Sequence, residues 1–193
     1  LESVQKGLDD YLQEKRQLFP RFYFLSDEEL LEILSQSKDV LNIDVHLKKL
    51  FEFIDHMEWN DDNDMLGFYS SEGEYVEHDK ILTPTGNVET WLLDVQSTMK
   101  SSLFHQVRLA MEAYVTEPRA EWVLNWPGQI VLAVGQIFWS SEVEEDLATN
   151  GSVDAYRDKL QAQLMDLVIV VQSPLKAMQR INMGSLITIG VHA

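Results

Sequence analysis

The sequence of 193 residues contains no cysteine, which excludes disulfide bonds, thiolate catalysis and cysteine-ligated zinc. Positive charge is also scarce, because 15 Lys and Arg residues stand against 32 Asp and Glu residues, for a net charge of −17. A nucleic-acid-binding protein normally presents a basic face, so we expect no nucleic-acid partner. The longest apolar stretch, Ile130–Trp139, is too short to span a bilayer, and we expect no membrane partner.

The motifs of common catalytic and metal sites are missing as well. No glycine is followed by lysine, so the sequence has no phosphate-binding P-loop, and the five histidines lack zinc-ligand spacing. Asp62, Asp64 and Gly67 fit positions one, three and six of a calcium loop. However, Leu66 and Gly73 occupy positions five and twelve, where that loop requires ligands. We therefore expect no catalytic, metal-binding or cofactor-binding residue in this segment.

Helical periodicity is the main structural signal in the sequence. Apolar residues spaced three and four apart predict helices over residues 4–18, 27–36, 45–54, 88–115 and 127–148, and from 152 onward with an interruption at 174. In the first helix, Val4, Leu8, Leu12 and then Phe19 form the apolar stripe. Ile130–Val134 is apolar on all sides, and its length and flanking cap residues favour a buried helix over a strand. Long helices with short connectors predict a mainly α fold, an elongated antiparallel bundle.

One segment departs from this pattern. Residues 66–77 alternate as strands do and predict one small β-hairpin, with Gly73 at a turn position that needs positive φ. Nine Asp or Glu residues and no Lys or Arg lie from Asp55 to Asp79. A solvated, charged loop is the simplest interpretation. The alternative is an electrostatic contact with a basic partner, made by Asp61, Asp62, Asp64, Glu72 and Glu74.

These patterns divide the chain into three parts. Residues 1–54 form a helical part, residues 55–87 an acidic hairpin with its connector, and residues 88–193 a bundle of long helices. Tryptophans occur in the apolar stripes of the last part, and core packing is the simplest interpretation for most of them. We expect Trp126→Ala or Trp139→Ala to destabilise the fold as the loss of a buried aromatic side chain does.

An aromatic-rich joint, Phe19-Pro20-Arg21-Phe22-Tyr23-Phe24-Leu25, separates the first two predicted helices. Ser26 follows as a candidate N-cap, and Glu29 stands three residues later, where it would complete a capping box. Leu25 and Leu30 occupy the positions of a hydrophobic staple. The sequence therefore predicts a fixed corner that leads into a helix.

The order of residues in this corner resembles a signature of the dynein heavy chains, Phe-Pro-Arg-Phe-(Phe/Tyr)-Phe-Leu-Ser followed by Glu-Leu-Leu-Glu-Ile-Leu. Further segments resemble that family in the same order, over essentially the whole chain: His46–Phe51, Phe68–Glu74, Asn87–Leu92, Trp126–Gln129, Gln136–Trp139 and Leu186–Ala193. Trp-Pro-x-Gln and Ser-Ser-Glu-Gly-Glu resemble axonemal more than cytoplasmic heavy chains. The signature residues are Phe19, Pro20, Arg21, Phe22, Phe24, Trp91, Trp126, Pro127, Gln129 and Trp139.

The resemblance implies the C-terminal part of the linker, a mechanical arm that precedes the first AAA module. Such a segment would transmit force between the AAA ring and the tail of a microtubule-based motor, in the axoneme of a cilium or flagellum. It would not be an enzyme, although the parent heavy chain would be an ATPase that uses ATP and Mg. The implied partners are the ring of the same heavy chain and, through the full protein, other dynein chains and microtubules. The alternative is a stand-alone acidic helical adaptor that binds a basic partner protein.

Overall fold

The computed structural model describes residues 2–36 and 40–192 and is mainly helical, which confirms the predicted fold class. In the described residues, three β-strands and a short 3₁₀ turn, Pro20–Phe24, accompany eight α-helices. In chain order the helices are α1 (Glu2–Leu18), α2 (Asp27–Ser35), α3 (Val40–Leu50), α4 (Val88–Thr116), α5 (Arg119–Trp122), α6 (Gly128–Asn150), α7 (Asp154–Val171) and α8 (Ala177–His192). No helix in these two ranges combines the length and apolar character that a bilayer crossing needs.

Packing divides the chain into two compact units, with the boundary between Ser102 and Leu103, inside α4. This boundary differs from the three-part division inferred from the sequence, which groups residues by their local pattern and stays a prediction. Each unit has its own buried residues and is described separately.

In the first unit, α2 begins as the sequence predicts. The Ser26 hydroxyl accepts the Glu29 N–H at 3.3 Å, and the Glu29 carboxylate accepts the Ser26 N–H at 3.0 Å, which completes the capping box. Both predicted staple residues, Leu25 and Leu30, are buried. Local sequence is sufficient here because all partners lie within six residues of one another.

The apolar stripe of α1 is only partly buried, contrary to the prediction. Leu12 and Phe19 are buried, whereas Val4 is 75% exposed and Leu8 is 37% exposed. The reason is that α1 packs against the 3₁₀ turn and α2 near its C-terminal end. Helical spacing reports that residues share a face, but it does not report which part of that face is covered.

The predicted boundaries of α3, residues 45–54, are wrong. The helix ends at Leu50, and Phe53 then takes a left-handed backbone conformation with φ of 69°. This conformation cannot continue a right-handed helix, and Ile54 instead begins a strand. Ile43, which the prediction omitted, is buried on the same helix as Leu47.

The predicted hairpin is present, and a third strand extends it. The strands β1 (Ile54–Trp59), β2 (Met65–Ser70) and β3 (Tyr75–Leu82) form an antiparallel sheet in the order β1-β2-β3. Met57, Phe68 and Val76 lie side by side across it and are buried. The sequence did not predict β1, because irregular register at both of its ends breaks the alternation of apolar and polar residues.

The sheet is held to its helical neighbours by polar contacts. Asp79 donates its backbone N–H to the Ser102 hydroxyl of α4 at 3.0 Å, and its carboxylate accepts a hydrogen bond from Ser101 at 3.0 Å. On the other side, the Met57 N–H donates to the carboxylate of Asp44 in α3 at 3.1 Å. Acidic residues of this region thus serve partly as structural acceptors.

The second unit has an apolar core that gathers α4, α5, α6, α7 and α8. Its buried residues are Ala110, Trp122, Val123, Ile130, Val131, Val134, Leu167, Met183 and Leu186. The segment Ile130–Val134 lies within α6, as predicted, and supplies three of them. Pro127 is the N-cap residue of α6 instead of its first helical residue, and Gly151 ends α6 with φ of 69°.

Four of the five tryptophans divide into two groups. Trp91 and Trp122 are almost fully buried, whereas Trp126 and Trp139 are half-buried. The Trp122 indole N–H donates to the Ala110 carbonyl at 2.9 Å and fixes α5 against α4 within the second unit. The strong destabilisation expected from the sequence for Trp126 and Trp139 therefore applies to Trp122 instead.

We expect Trp122→Ala to lower the free energy of unfolding of the second unit by roughly 3–5 kcal/mol, because it leaves a cavity in a closed core. Urea unfolding followed by circular dichroism measures this change. Trp139→Ala is the matched control, and its half-buried side chain predicts a clearly smaller loss. Equal losses in the two variants would contradict the burial difference.

Candidate functional site

The joint, residues Phe19–Leu25, is built on a 3₁₀ turn that buries every third residue. Phe19, Phe22 and Leu25 are buried, while Tyr23 and Phe24 are 57% and 66% exposed. A 3₁₀ helix has three residues per turn, so residues three apart share one side. The aromatic signature residues are therefore of two kinds: Phe19 and Phe22 are buried, and Phe24 is exposed.

The buried aromatic rings of the joint form a small cluster. Phe19 and Phe22 meet edge to face, with ring centroids 5.0 Å apart. Phe51, just after α3, approaches Phe19 with a centroid distance of 6.3 Å. Edge-to-face pairs are a favoured aromatic geometry, and the cluster ties the joint to the end of α3.

Arg16, in the last turn of α1, is buried and binds the far end of the joint. Its Nη2 donates to the Leu25 carbonyl at 3.0 Å, its Nε reaches the Phe22 carbonyl at 3.5 Å, and its Nη1 lies 2.8 Å from an Asp27 carboxylate oxygen. Carbonyls at a helix end lack intrahelical partners, so a guanidinium is a suitable donor. Arg16 therefore connects α1 to the start of α2 across the joint.

Arg21 points from the joint toward two other helices. Its Nη1 donates to the carbonyl of Leu50, the last residue of α3, at 2.8 Å. Its Nε donates to the Gln96 side chain of α4 at 2.9 Å, and its guanidinium lies 4.9 Å from the Phe51 ring centroid. A planar guanidinium can satisfy these partners together, which a lysine ammonium cannot.

A third cation, Lys15 in the last turn of α1, contacts α4. The Lys15 ammonium and the Glu89 carboxylate are 2.5 Å apart, and their side chains are only 14% and 6% exposed. The hydrogen bond to Glu89 raises the pKa of Lys15, against the opposing effect of burial. The joint and its three cations thus connect α1, α2, α3 and α4.

The sequence identified Phe19, Pro20, Arg21 and Phe22 but missed Arg16 and Lys15. Both stand in the charged run Glu14-Lys15-Arg16, which looks solvated when it is considered alone. Their position in the last turn of a helix directly before a Pro-containing corner was the available signal.

The structure places the predicted acidic contact residues in two turns. In the β1–β2 turn, the Asn60 side-chain oxygen accepts the backbone N–H groups of Asp62 at 3.0 Å and Asp64 at 2.8 Å. The Asp64 carboxylate accepts a hydrogen bond from the Thr83 hydroxyl at 2.5 Å. Asp61 and Asp62 are exposed, whereas Asp64 is half-buried.

Glu72 and Glu74 lie in the β2–β3 turn, where the Ser70 hydroxyl accepts their backbone N–H groups at 3.3 and 3.0 Å. Successive turns of an antiparallel meander lie at opposite ends of the sheet, and a six-residue strand is roughly 20 Å long. The two acidic groups are therefore not one continuous surface.

The remaining signature residues are divided between the two units. Trp91 is buried in the first unit. In the second unit, Trp126 and Pro127 precede α6, Gln129 is exposed in its first turn, and Trp139 lies in its middle. The indole nitrogen of Trp126 is buried without a hydrogen-bond partner among residues 2–36 and 40–192. These residues shape the start and one face of α6.

The joint fixes the positions of the helices that it contacts, and it offers no reactive group. Its cations are engaged with carbonyls and carboxylates, and its remaining side chains are apolar, aromatic or amide. Within the part of the chain that the structure describes, no group of three or more His, Asp or Glu side chains is arranged to hold a metal ion.

The family model for dynein heavy chain, N-terminal region 2, matches residues 1–110. The chain belongs to the dynein heavy chain family, as the sequence resemblance predicted. The matched model describes an N-terminal region of the heavy chain and does not confirm the predicted position in the C-terminal part of the linker. It is 47% identical to dynein axonemal heavy chain 1 of Mus musculus over 193 residues, which are 100% of this chain and 4% of that protein. It is 45% identical to dynein axonemal heavy chain 3 of Homo sapiens over 196 residues, which cover 100% of this chain and 5% of that protein.

A third relative, dynein axonemal heavy chain 12 of Rattus norvegicus, is 44% identical over 197 residues, covering 100% of this chain and 6% of that protein. The chain therefore spans 4 to 6% of the length of these relatives. The axonemal type and the predicted location, the axoneme of a cilium or flagellum, are confirmed by these matches. The chain is a component of a dynein motor.

We expect Arg21→Lys to lower the free energy of unfolding by roughly 1.5–3 kcal/mol, because lysine cannot reach both Leu50 and Gln96. Urea unfolding measures the change, and Arg108→Lys, an exposed arginine of α4, is the matched control. An unchanged midpoint for Arg21→Lys would show that these hydrogen bonds do not hold the joint.

The environment of Glu29 predicts that the stability of the first unit depends on pH. The Lys49 ammonium of α3, with help from the Ser26 N–H, lowers the pKa of the Glu29 carboxyl from its usual 4.5 to about 2. A carboxyl with a lowered folded-state pKa contributes stability above its unfolded pKa and loses that contribution as the pH falls through the folded value. The stability difference between wild type and Glu29→Gln should therefore shrink between pH 4.5 and about 2.

Unfolding curves at several pH values test this expectation. Glu28→Gln is the matched control for removal of one charge from the same helical turn. A wild-type-minus-variant difference that is constant from pH 7 to pH 2 would contradict the role of Lys49.

Proposed function

We propose that this chain is a segment of the linker of an axonemal dynein heavy chain and transmits force between the AAA ring and the tail. The proposal rests on the contacts of the joint together with membership of the dynein heavy chain family. Arg16, Arg21 and Lys15 fix four helices with charge-assisted contacts, which are short and directional. A force-transmitting segment has to resist deformation, and this arrangement supplies that resistance together with close-packed cores.

Under this proposal the segment does not hydrolyse ATP. ATP and Mg bind elsewhere in the heavy chain, and this segment responds to them through the AAA ring of the same chain. Other dynein chains and microtubules are partners of the full protein. The joint and its three cations keep helices in place while the nucleotide chemistry happens at a distance.

The alternative, an adaptor that binds a basic partner through the acidic hairpin, has less support. It needs a continuous acidic surface, and the candidate residues occupy turns at opposite ends of the sheet. Several of their backbone N–H groups are engaged within the turns, and the Asp64 carboxylate is engaged by Thr83 after β3. We therefore keep the linker as the proposed function.

The test is Arg21→Lys in the full-length heavy chain, with ATP turnover and microtubule gliding velocity measured on the same preparation. We expect turnover to be retained and velocity to fall, because a loosened joint transmits less of each stroke. Arg108→Lys is the control and should leave both quantities unchanged. Unchanged gliding in the Arg21→Lys variant, with its stability loss verified, would overturn the force-transmitting role.

A further inference from the structure

A groove of about 330 Å³ lies between α5, α6 and α8 in the second unit. The residues that line it are Arg119, Gln136 and Trp139, together with the aliphatic residues Leu132, Leu186 and Ile189. In the described part of the chain, Arg119 is the only charged residue that lines it. A concave apolar surface with a few polar groups is the usual form of a binding site.

An aromatic cluster next to the groove anchors the Arg119 side chain. Its Nη1 donates to the Tyr114 hydroxyl at 2.5 Å. The Tyr114 ring stacks on Phe138 with a centroid distance of 4.1 Å and meets the buried Trp122 edge to face at 5.1 Å. A guanidinium that is already anchored loses less conformational freedom when it binds a ligand.

The rest of the Arg119 guanidinium remains available. Among residues 2–36 and 40–192, Arg119 forms no ion pair and its Nη2 has no hydrogen-bond partner. Nη2 faces α6 at Gly135, where an added Cβ would lie 3.4 Å away. Because residue 135 has no side chain, the guanidinium lies close to the α6 backbone at one wall of the groove.

We propose that this groove binds a protein segment in which an Asp or Glu is flanked by aliphatic residues. The carboxylate pairs with Arg119, and the aliphatic side chains occupy the surface formed by Trp139, Leu186 and Ile189. A guanidinium matches a carboxylate with two parallel hydrogen bonds, and an apolar surround strengthens that pairing. The inference goes beyond the linker role and does not depend on it.

Charge complementarity identifies this occupant. The chain carries a net charge of −17, so its surface as a whole repels acidic segments. A cation without an ion-pair partner, set in an otherwise uncharged groove, is a local exception to that repulsion. A basic segment would meet Arg119 with like charge, and a purely apolar one would leave its donors unpaired.

The experiment is a nuclear magnetic resonance titration of the ¹⁵N-labelled chain. The Arg119 Nε–H and Trp139 Nε1–H signals are assigned from Arg119→Gln and Trp139→Phe spectra. The probe is acetyl-Leu-Glu-Leu-amide, and its matched control is acetyl-Leu-Gln-Leu-amide. We expect saturable shifts of both signals, with the Gln peptide weaker by about tenfold, because hydrogen bonds between charged groups contribute more than neutral ones.

Variants locate the site. Arg119→Gln should abolish the difference between the two peptides, whereas Arg157→Gln, which removes an exposed arginine of α7, should bind as wild type does. Gly135→Leu fills the groove and should remove binding while α6 stays helical, since leucine favours helix more than glycine does.

Three results would overturn the proposal. The first is equal affinity for the Glu and Gln peptides, and the second is Glu-peptide affinity unaffected by Arg119→Gln. The third is saturation of both signals by sodium acetate alone at the same concentration, which would identify a simple anion site without an aliphatic subsite.

Discussion

The last carbonyl groups of a helix have no N–H donor of their own helix, and two such ends meet at the joint. Arg21 donates to the Leu50 carbonyl at the end of α3, and Arg16 donates to the Leu25 carbonyl just after the 3₁₀ turn. Without these guanidinium groups, partly buried carbonyls would lose their partners, at a cost of about 1–3 kcal/mol each. The positions of α1 and α3 relative to the joint depend on these backbone acceptors, whereas α4 is joined through the side chains of Gln96 and Glu89.

The second unit is held together by different means. Its core is apolar and aromatic, and a hydrogen bond from Trp122 to the Ala110 carbonyl orients the largest side chain within it. The aromatic stack of Tyr114 and Phe138 continues this core toward Arg119. A cation anchored on a packed core is suited to recognition, whereas Arg16, Arg21 and Lys15 of the first unit are engaged in internal contacts.

Some of the acidic residues behind the net charge of −17 have structural roles. Asp79 and Asp44 accept hydrogen bonds that hold the sheet to α4 and α3, and the Asp64 carboxylate joins the β1–β2 turn to Thr83. Acidic residues without such contacts, such as Asp61 and Glu72, lie in exposed turns at opposite ends of the sheet. Composition alone cannot separate the two kinds, because a carboxylate that accepts a backbone N–H and one that is solvated have the same sequence signal.

The sequence by itself determined the presence of the long helices, the capping box at Ser26, the turn at Gly73 and the family, because each depends on residues close together in the chain or on the order of motifs. Only the tertiary structure decided that Arg16 and Lys15 are internal, that Val4 is exposed and that β1 joins the sheet. It also decided that Arg119 faces a groove. These outcomes depend on partners far apart in the chain, such as Lys15 with Glu89 and Arg21 with Gln96. Helical or strand periodicity identifies a shared face, but only packing determines what covers that face.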